Sequence, residues 1–207
     1  MRINTLFSIK SWLHVYYRFF IKIFYIKYMK IKGVSIDKSN SFLGTPLITK
    51  HKSSEIIIGK SGLFVSNSIF TALGVKHRII LRTLSENANI VIGNGVRVSG
   101  TTICARESIC IGDRCVIGAD VIITDTDFHS LDAAKRSSAK DAECALNSPV
   151  VIGEDVFIGA NSIILKGVTI GANSIIGAGS VVTKPFPENS IIAGNPARLI
   201  KKTIECE

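Results

Sequence analysis

The 207-residue chain holds only five prolines, and its 17 glycines follow no three-residue period, which excludes collagen-like and proline-rich extended chains. Its five cysteines, Cys104, Cys110, Cys115, Cys144 and Cys206, form no CxxC pair and have no histidine at zinc-like spacing. Three of them fall inside apolar periodic segments, where a free cysteine behaves as a small buried hydrophobe. Reduced thiols of a cytosolic protein are therefore expected. Long uncharged apolar runs are missing as well. The most apolar stretch, near the N-terminus, is interrupted by Arg18, Lys22 and Lys27. Three cations near its middle speak against a transmembrane helix of about twenty residues. No small-x-small cleavage site follows, so the stretch is a poor signal peptide.

Acid is absent from residues 1–32, which carry seven of the 25 basic residues and none of the 16 acidic ones. The remainder, with eighteen bases against sixteen acids, is nearly neutral, which speaks against a protein that coats nucleic acid. With 46% hydrophobic and 20% charged residues the chain is globular rather than disordered. The first thirty residues are also crowded with rings: Trp12, Tyr16, Tyr17, Phe19, Phe20, Phe24, Tyr25 and Tyr28. On a helix, Lys10, His14, Arg18 and Lys22 form one stripe against a broad apolar face. That make-up suits a helix lying in a membrane interface or packed on its own domain or a neighbouring subunit. Residues 1–32 are read as one unit and residues 33–207 as another.

Beyond residue 33 the dominant period is six, neither helical nor a simple strand alternation. Ile152, Ile158, Ile164, Ile170, Ile176 and Val182 stand six apart, with Gly153, Gly159, Gly171 and Gly177 following four of them. Val156, Ser162, Val168, Ser174 and Ser180 lie four positions after successive anchors. The same register appears at Ile111-Gly112, Ile117-Gly118 and Ile123, with fragments at Ile58-Gly59 and Ile92-Gly93. Such a repeat predicts a solenoid in which each hexad makes one short strand and one corner, and three hexads close a triangular coil. Each anchor points inward, where burial is worth roughly 1.5–3 kcal/mol. Coils stack through parallel backbone hydrogen bonds, and only the ends need caps. The register is expected to break once, in a loop excursion over residues 124–149. A loop that long inside a solenoid is usually functional. After the last coil, a short strand at 190–193 and a tail over 194–207 are expected.

The excursion opens Asp125-Thr126-Asp127-Phe128-His129 and runs on to Lys135-Arg136; later come IGANSIILKGVTIGANSIIGAGSVVTK and AGNPARLIKK. Over residues 92–202 the chain resembles the hexapeptide-repeat acetyltransferases. It is most similar to bacterial polysaccharide and lipopolysaccharide O-acetyltransferases and to the maltose and galactoside group. The resemblance implies an all-β fold, a left-handed parallel β-helix, the known exception to right-handed crossovers. It also implies a homotrimer with acetyl-CoA as co-substrate in clefts between neighbouring prisms. His129 matches the family's catalytic histidine, and imidazole suits the task of taking a proton from an acceptor hydroxyl. For the CoA, the resemblance points to Ala160, Ala178, Thr183, Lys184, Arg198 and Lys201. No trio of histidines matches the zinc-binding carbonic-anhydrase branch of the fold, so no metal is expected.

For the acceptor, Asp125 and Asp127 are candidates to bind sugar hydroxyls or orient His129, with a turn-forming role equally open. Arg136 is a candidate to hold an acidic acceptor, or a solvated loop cation. The maltose-type enzymes carry an asparagine-containing segment one coil before the histidine. Here that place reads Arg97-Val98-Ser99-Gly100-Thr101-Thr102-Ile103, leaving Ser99 or Thr101 to substitute. The departure favours a larger glycan over a free disaccharide. The expected activity is acetylation of a hydroxyl on a bacterial surface-glycan sugar or its precursor, in the cytoplasm or at the inner membrane face. The alternatives are acetylation of a small soluble acceptor (serine, an amino-sugar nucleotide, an antibiotic) and a non-catalytic β-helix scaffold.

Overall fold

The computed structural model describes residues 22–203. The expected N-terminal helix is therefore seen only in its last part, residues 22–31; the earlier positions, with Lys10, His14 and Arg18, lie outside the described residues, as does Cys206. From residue 35 onward the chain winds through three sheets in rotation. Sheets A and C have six strands each and sheet B has eight, and every pairing is parallel except the last.

The period of six places one anchor column on each inner face. In sheet A, Ile58, Ile92, Ile111, Ile152 and Ile170 are successive register partners. Sheet B aligns Phe42, Phe64, Val98, Ile117, Ile158, Ile176 and Ile192. Sheet C aligns Ile48, Leu81, Ile103, Ile123, Ile164 and Val182. All of these belong to one buried core. The chain is a left-handed parallel β-helix.

The fourth-position column explains itself at the corners. Ser162, Ser174, Ser180 and Ser190 are fully buried, and each hydroxyl donates to a corner carbonyl, as Ser180 Oγ does to Gly177 O at 2.6 Å. A buried polar group is tolerable because it is bonded. Glycine follows the anchors because the coils touch there. A Cβ on Gly153 would stand 2.6 Å from the Ala172 amide nitrogen, closer than a carbon can approach backbone.

Both ends are closed by chain. At the start, Tyr25, Ile26 and Met29 of the helix are buried against the first coil, and Tyr25 meets Phe42, which stacks on Phe64 at 5.1 Å. Gly33, at φ +76°, ends the helix and lets Val34 N donate back to Met29 O. The helix's other flank exposes Phe24 and Ile31 beside Lys27 and Lys30. At the far end, residues expected as tail form the strand Ala197–Lys202, antiparallel to Ser190–Gly194.

Two corners are interrupted rather than one. Between sheets C and A, residues 125–149 leave the prism, as the broken hexads predict. A second excursion, residues 66–79, leaves the B–C corner between strands Leu63–Val65 and Ile80–Thr83. The weak periodicity of residues 33–91 hid it from sequence.

Candidate active site

The C–A excursion is held at its root by Asp125. Its carboxylate is fully buried and accepts from the backbone N–H groups of Arg106, Glu107 and Ser108, each at 2.7 Å. Burial nonetheless pushes its carboxyl up from the ordinary value. The expectation that Asp125 meets an acceptor is corrected here: it anchors the loop to the coil below and has no exposed surface. The loop's two arms then pair, with Asp127 N donating to Leu146 O and Ser148 N to Asp125 O. Asp127 makes an ion pair with Lys166 Nζ at 3.0 Å.

Above this root the chain turns sharply at Phe128, φ +62°, and presents His129 with its side chain two-thirds exposed. Asp141, twelve residues on, faces it. Asp141 Oδ2 lies 2.5 Å from His129 Nδ1, and Oδ1 accepts from Ser130 N at 2.7 Å. The hydrogen bond with His129 holds the Asp141 carboxyl below its ordinary range, reinforced by the Ser130 amide. A carboxylate at Nδ1 assigns the proton there and leaves the Nε2 lone pair facing out of the loop. Arg136, on the short helix Ala133–Arg136, donates Nη1 to Ser130 O at 2.8 Å, so it braces the segment bearing His129. Asp141 was missed in the sequence because no period or motif connects it to His129 within an aperiodic loop.

The remaining candidates fall into three further places. Thr183 and Lys184 follow the strand Val181–Val182, on the same C–A corner as His129 but higher, with Lys184 Nζ over the Phe186 ring. Ser99, Ala160 and Ala178 belong to the opposite, B–C corner. There Ser99 is the register partner of Ala119, and Ala119, Asp120, Ala160 and Asn161 form the floor of a cleft of about 400 Å³. Residues Ser68, Leu73, Gly74, Val75 and Lys76 of the second excursion form its wall. Lys76 ties the wall to the floor through its N–H to Asp120 Oδ1 and its Nζ to Asn161 Oδ1, 2.9 and 3.0 Å. Arg198 and Lys201 project from the exposed final strand on the edge of sheet B. Sheet C separates the two corners: from Ser162 to Lys166 the chain covers four residues, roughly 13 Å of extended strand. One chain thus does not bring His129 and the alanines together. Among the described residues, no three or more His, Cys, Asp or Glu side chains lie close enough to hold a metal ion.

Comparison with known proteins agrees with this architecture. The family model for the hexapeptide repeat of succinyl-transferase matches residues 149–184. WbbJ of Escherichia coli K12, described as a lipopolysaccharide-biosynthesis O-acetyl transferase, is 39% identical over 104 residues, covering 48% of this chain and 53% of that protein. The galactoside O-acetyltransferase of the same strain is 37% identical over 119 residues, covering 57% of this chain and 56% of that one. The chain thus spans about half the length of these curated relatives. A solved galactoside acetyltransferase in complex with coenzyme A has the same fold, with TM-score 0.52 and 24% identity over 80% of this chain and 65% of that one. With its stacked hexads and three anchor columns, the chain has the left-handed β-helix fold and is similar, over about half its length, to hexapeptide-repeat acetyltransferases.

Proposed function

We propose that the protein is an acetyl-CoA-dependent O-acetyltransferase acting on a hydroxyl of a surface-glycan sugar or its precursor, with His129 as general base. The observation that carries this reading is the His129–Asp141 pair on the one long loop of the C–A corner. A hydroxyl is a poor nucleophile toward a thioester until its proton is removed in the transition state. His129 Nε2 takes that proton as the acceptor oxygen bonds to the acetyl carbon. It then returns the proton to the sulfur as the carbon–sulfur bond breaks. Asp141 holds the ring in the required tautomer and offsets the charge of the transient imidazolium. The acetyl donor is supported by the relatives' names and by the coenzyme A in the solved galactoside acetyltransferase.

The separation of the two corners supports a homotrimer. In a ring of parallel prisms the C–A corner of one subunit faces the B–C corner of the next. His129 would then be opposite the cleft floored by Ala160, with Ala178 above it and Ser99 beside Ala119. Backbone groups beside the small alanines would be free to bond the pantetheine amides. Thr183, Lys184, Arg198 and Lys201 would meet the outer parts of the CoA, and Asp127 and Arg136 would border the acceptor. The aromatic, basic capping helix favours an acceptor presented at a membrane surface. No helix of the described residues is long and apolar enough to cross one.

Turnover of labelled acetyl-CoA by wild type and His129→Ala tests the reading. Loss of a general base lowers turnover by roughly 10²–10⁴, while CoA binding stays unchanged. Near-normal turnover in the variant would exclude His129 as the base.

A further inference from the structure

Among the described residues three buried side-chain atoms lack a hydrogen-bond partner: His51 Nδ1, Arg82 Nε and Thr71 Oγ1. The first two belong to segments that a hydrogen bond joins. His51 N donates to the hydroxyl of Thr83, the neighbour of Arg82, at 2.9 Å. Leu81 and Thr83 point into the prism, so Arg82 stands on the outer face of sheet C. Its register partner there is Cys104, whose own partner is Thr124, at the foot of the His129 loop. Arg106 follows on the same edge, one coil above. Its backbone N–H is taken by Asp125, but neither its guanidinium nor that of Arg82 joins an ion pair among the described residues.

The acids around this edge are already engaged. Asp125 accepts from three backbone amides, Asp127 pairs with Lys166, and Glu107 accepts from Asn147 Nδ2. A buried donor with no partner is costly, and it calls for a ligand that completes it. A guanidinium fork matches a phosphoryl group best, since it can offer two parallel hydrogen bonds to one tetrahedral anion.

We propose that this edge of sheet C is an anion subsite in which Arg82, Arg106 and His51 hold a phosphoryl group of the acceptor while the acceptor hydroxyl lies at His129. The proposal rests on reading His129 as the base and names the acceptor class: a phosphate- or diphosphate-linked sugar. Two strand spacings, about 10 Å along the axis, separate Arg82 from the strand that launches the His129 loop. The subsite lies on the side of the loop nearer the capping helix, whose exposed flank carries Phe24, Lys27, Lys30 and Ile31. A sugar whose diphosphate is anchored at that end would reach upward to the base.

Calorimetric titration of the full-length protein with inorganic pyrophosphate tests the subsite. Saturable binding at one site per chain is expected. Arg82→Gln should weaken it at least tenfold, and Arg82→Lys, which keeps the charge but loses the fork, by less. Should Arg82→Gln fail to fold, Arg106→Gln makes the same comparison. Equal affinity in wild type and these variants would put the anion on other cations and overturn the proposal. Uridine diphosphate and a short polyprenyl diphosphate in micelles then distinguish a nucleotide source from a lipid carrier by which of them competes. Competition by neither means an adventitious ion only, and the proposal fails. His129→Ala should leave this titration unaltered, so an error in the base assignment would appear in turnover alone.

Discussion

Replacing Asp141 tests whether the geometry around His129 is catalytic or only local. Asp141 uses both oxygens, Oδ1 for Ser130 N–H and Oδ2 for His129 Nδ1. Asparagine has one oxygen. If that oxygen keeps the Ser130 amide, the NH₂ group faces Nδ1 and donates to it, and the ring proton moves to Nε2. The base is then blocked by its own hydrogen. Alanine removes the partner without imposing the wrong tautomer, and water can bond Nδ1 because the imidazole is two-thirds exposed. The order of damage should therefore be His129→Ala ≥ Asp141→Asn > Asp141→Ala. The complete loss of a base is worth roughly 10²–10⁴ in turnover. Asp141→Asn should approach that figure, and the alanine variant should lose only about tenfold, since base, cleft and donor site all remain. Steady-state kcat with labelled acetyl-CoA, alongside the dissociation constant of CoA, measures this order. Asparagine behaving better than alanine would refute the tautomer argument. The sign of the pH effect is also set. Asp141 is held below its ordinary 3.8, so its contribution to the loop is present above about pH 3.8 and is lost only as pH falls through the still lower folded value.

Asp125→Ala leaves three part-buried backbone N–H groups without their acceptor and should cost about 2–4 kcal/mol of stability, measured by urea unfolding; a loss below about 1 kcal/mol would deny Asp125 its anchoring role. Gly153→Ala forces a Cβ against the Ala172 amide and should cost about 1–3 kcal/mol, whereas a Cβ on Gly179 meets no atom within 4 Å. Gly179→Ala, at φ +71°, should show only the roughly 1–2 kcal/mol of left-handed backbone, and thermal melts of the pair would expose an equal cost if coil contact were irrelevant. Phe24→Glu together with Lys27→Glu and Lys30→Glu should release the protein from anionic vesicles in flotation while leaving CoA binding intact. Undiminished flotation of the triple variant would move the membrane contact away from this flank.

Hexad periodicity determined the inner faces without any further information. When every sixth residue is aliphatic, the strands can bury a continuous core only by stacking in one register, so Ile152 with Ile170 in sheet A, Ile158 with Ile176 in sheet B and Ile164 with Val182 in sheet C follow from spacing alone. The corner serines and glycines follow as well, because their roles are local to a coil. The break before Pro149 was equally legible, as was His129 through the residues around it. Other features depend on contacts between residues that no period relates. Asp141 reaches His129 because an aperiodic loop folds back on itself. Asp125 turned inward because three amide groups of the neighbouring coil converge on it. The excursion at residues 66–79 was hidden where the hexads are irregular, and the segments that carry His51 and Arg82 meet only when strands far apart in sequence become neighbours across sheet C. A repeating sequence states which way each side chain points along the prism; what meets across an edge or within a loop is decided by the folded chain.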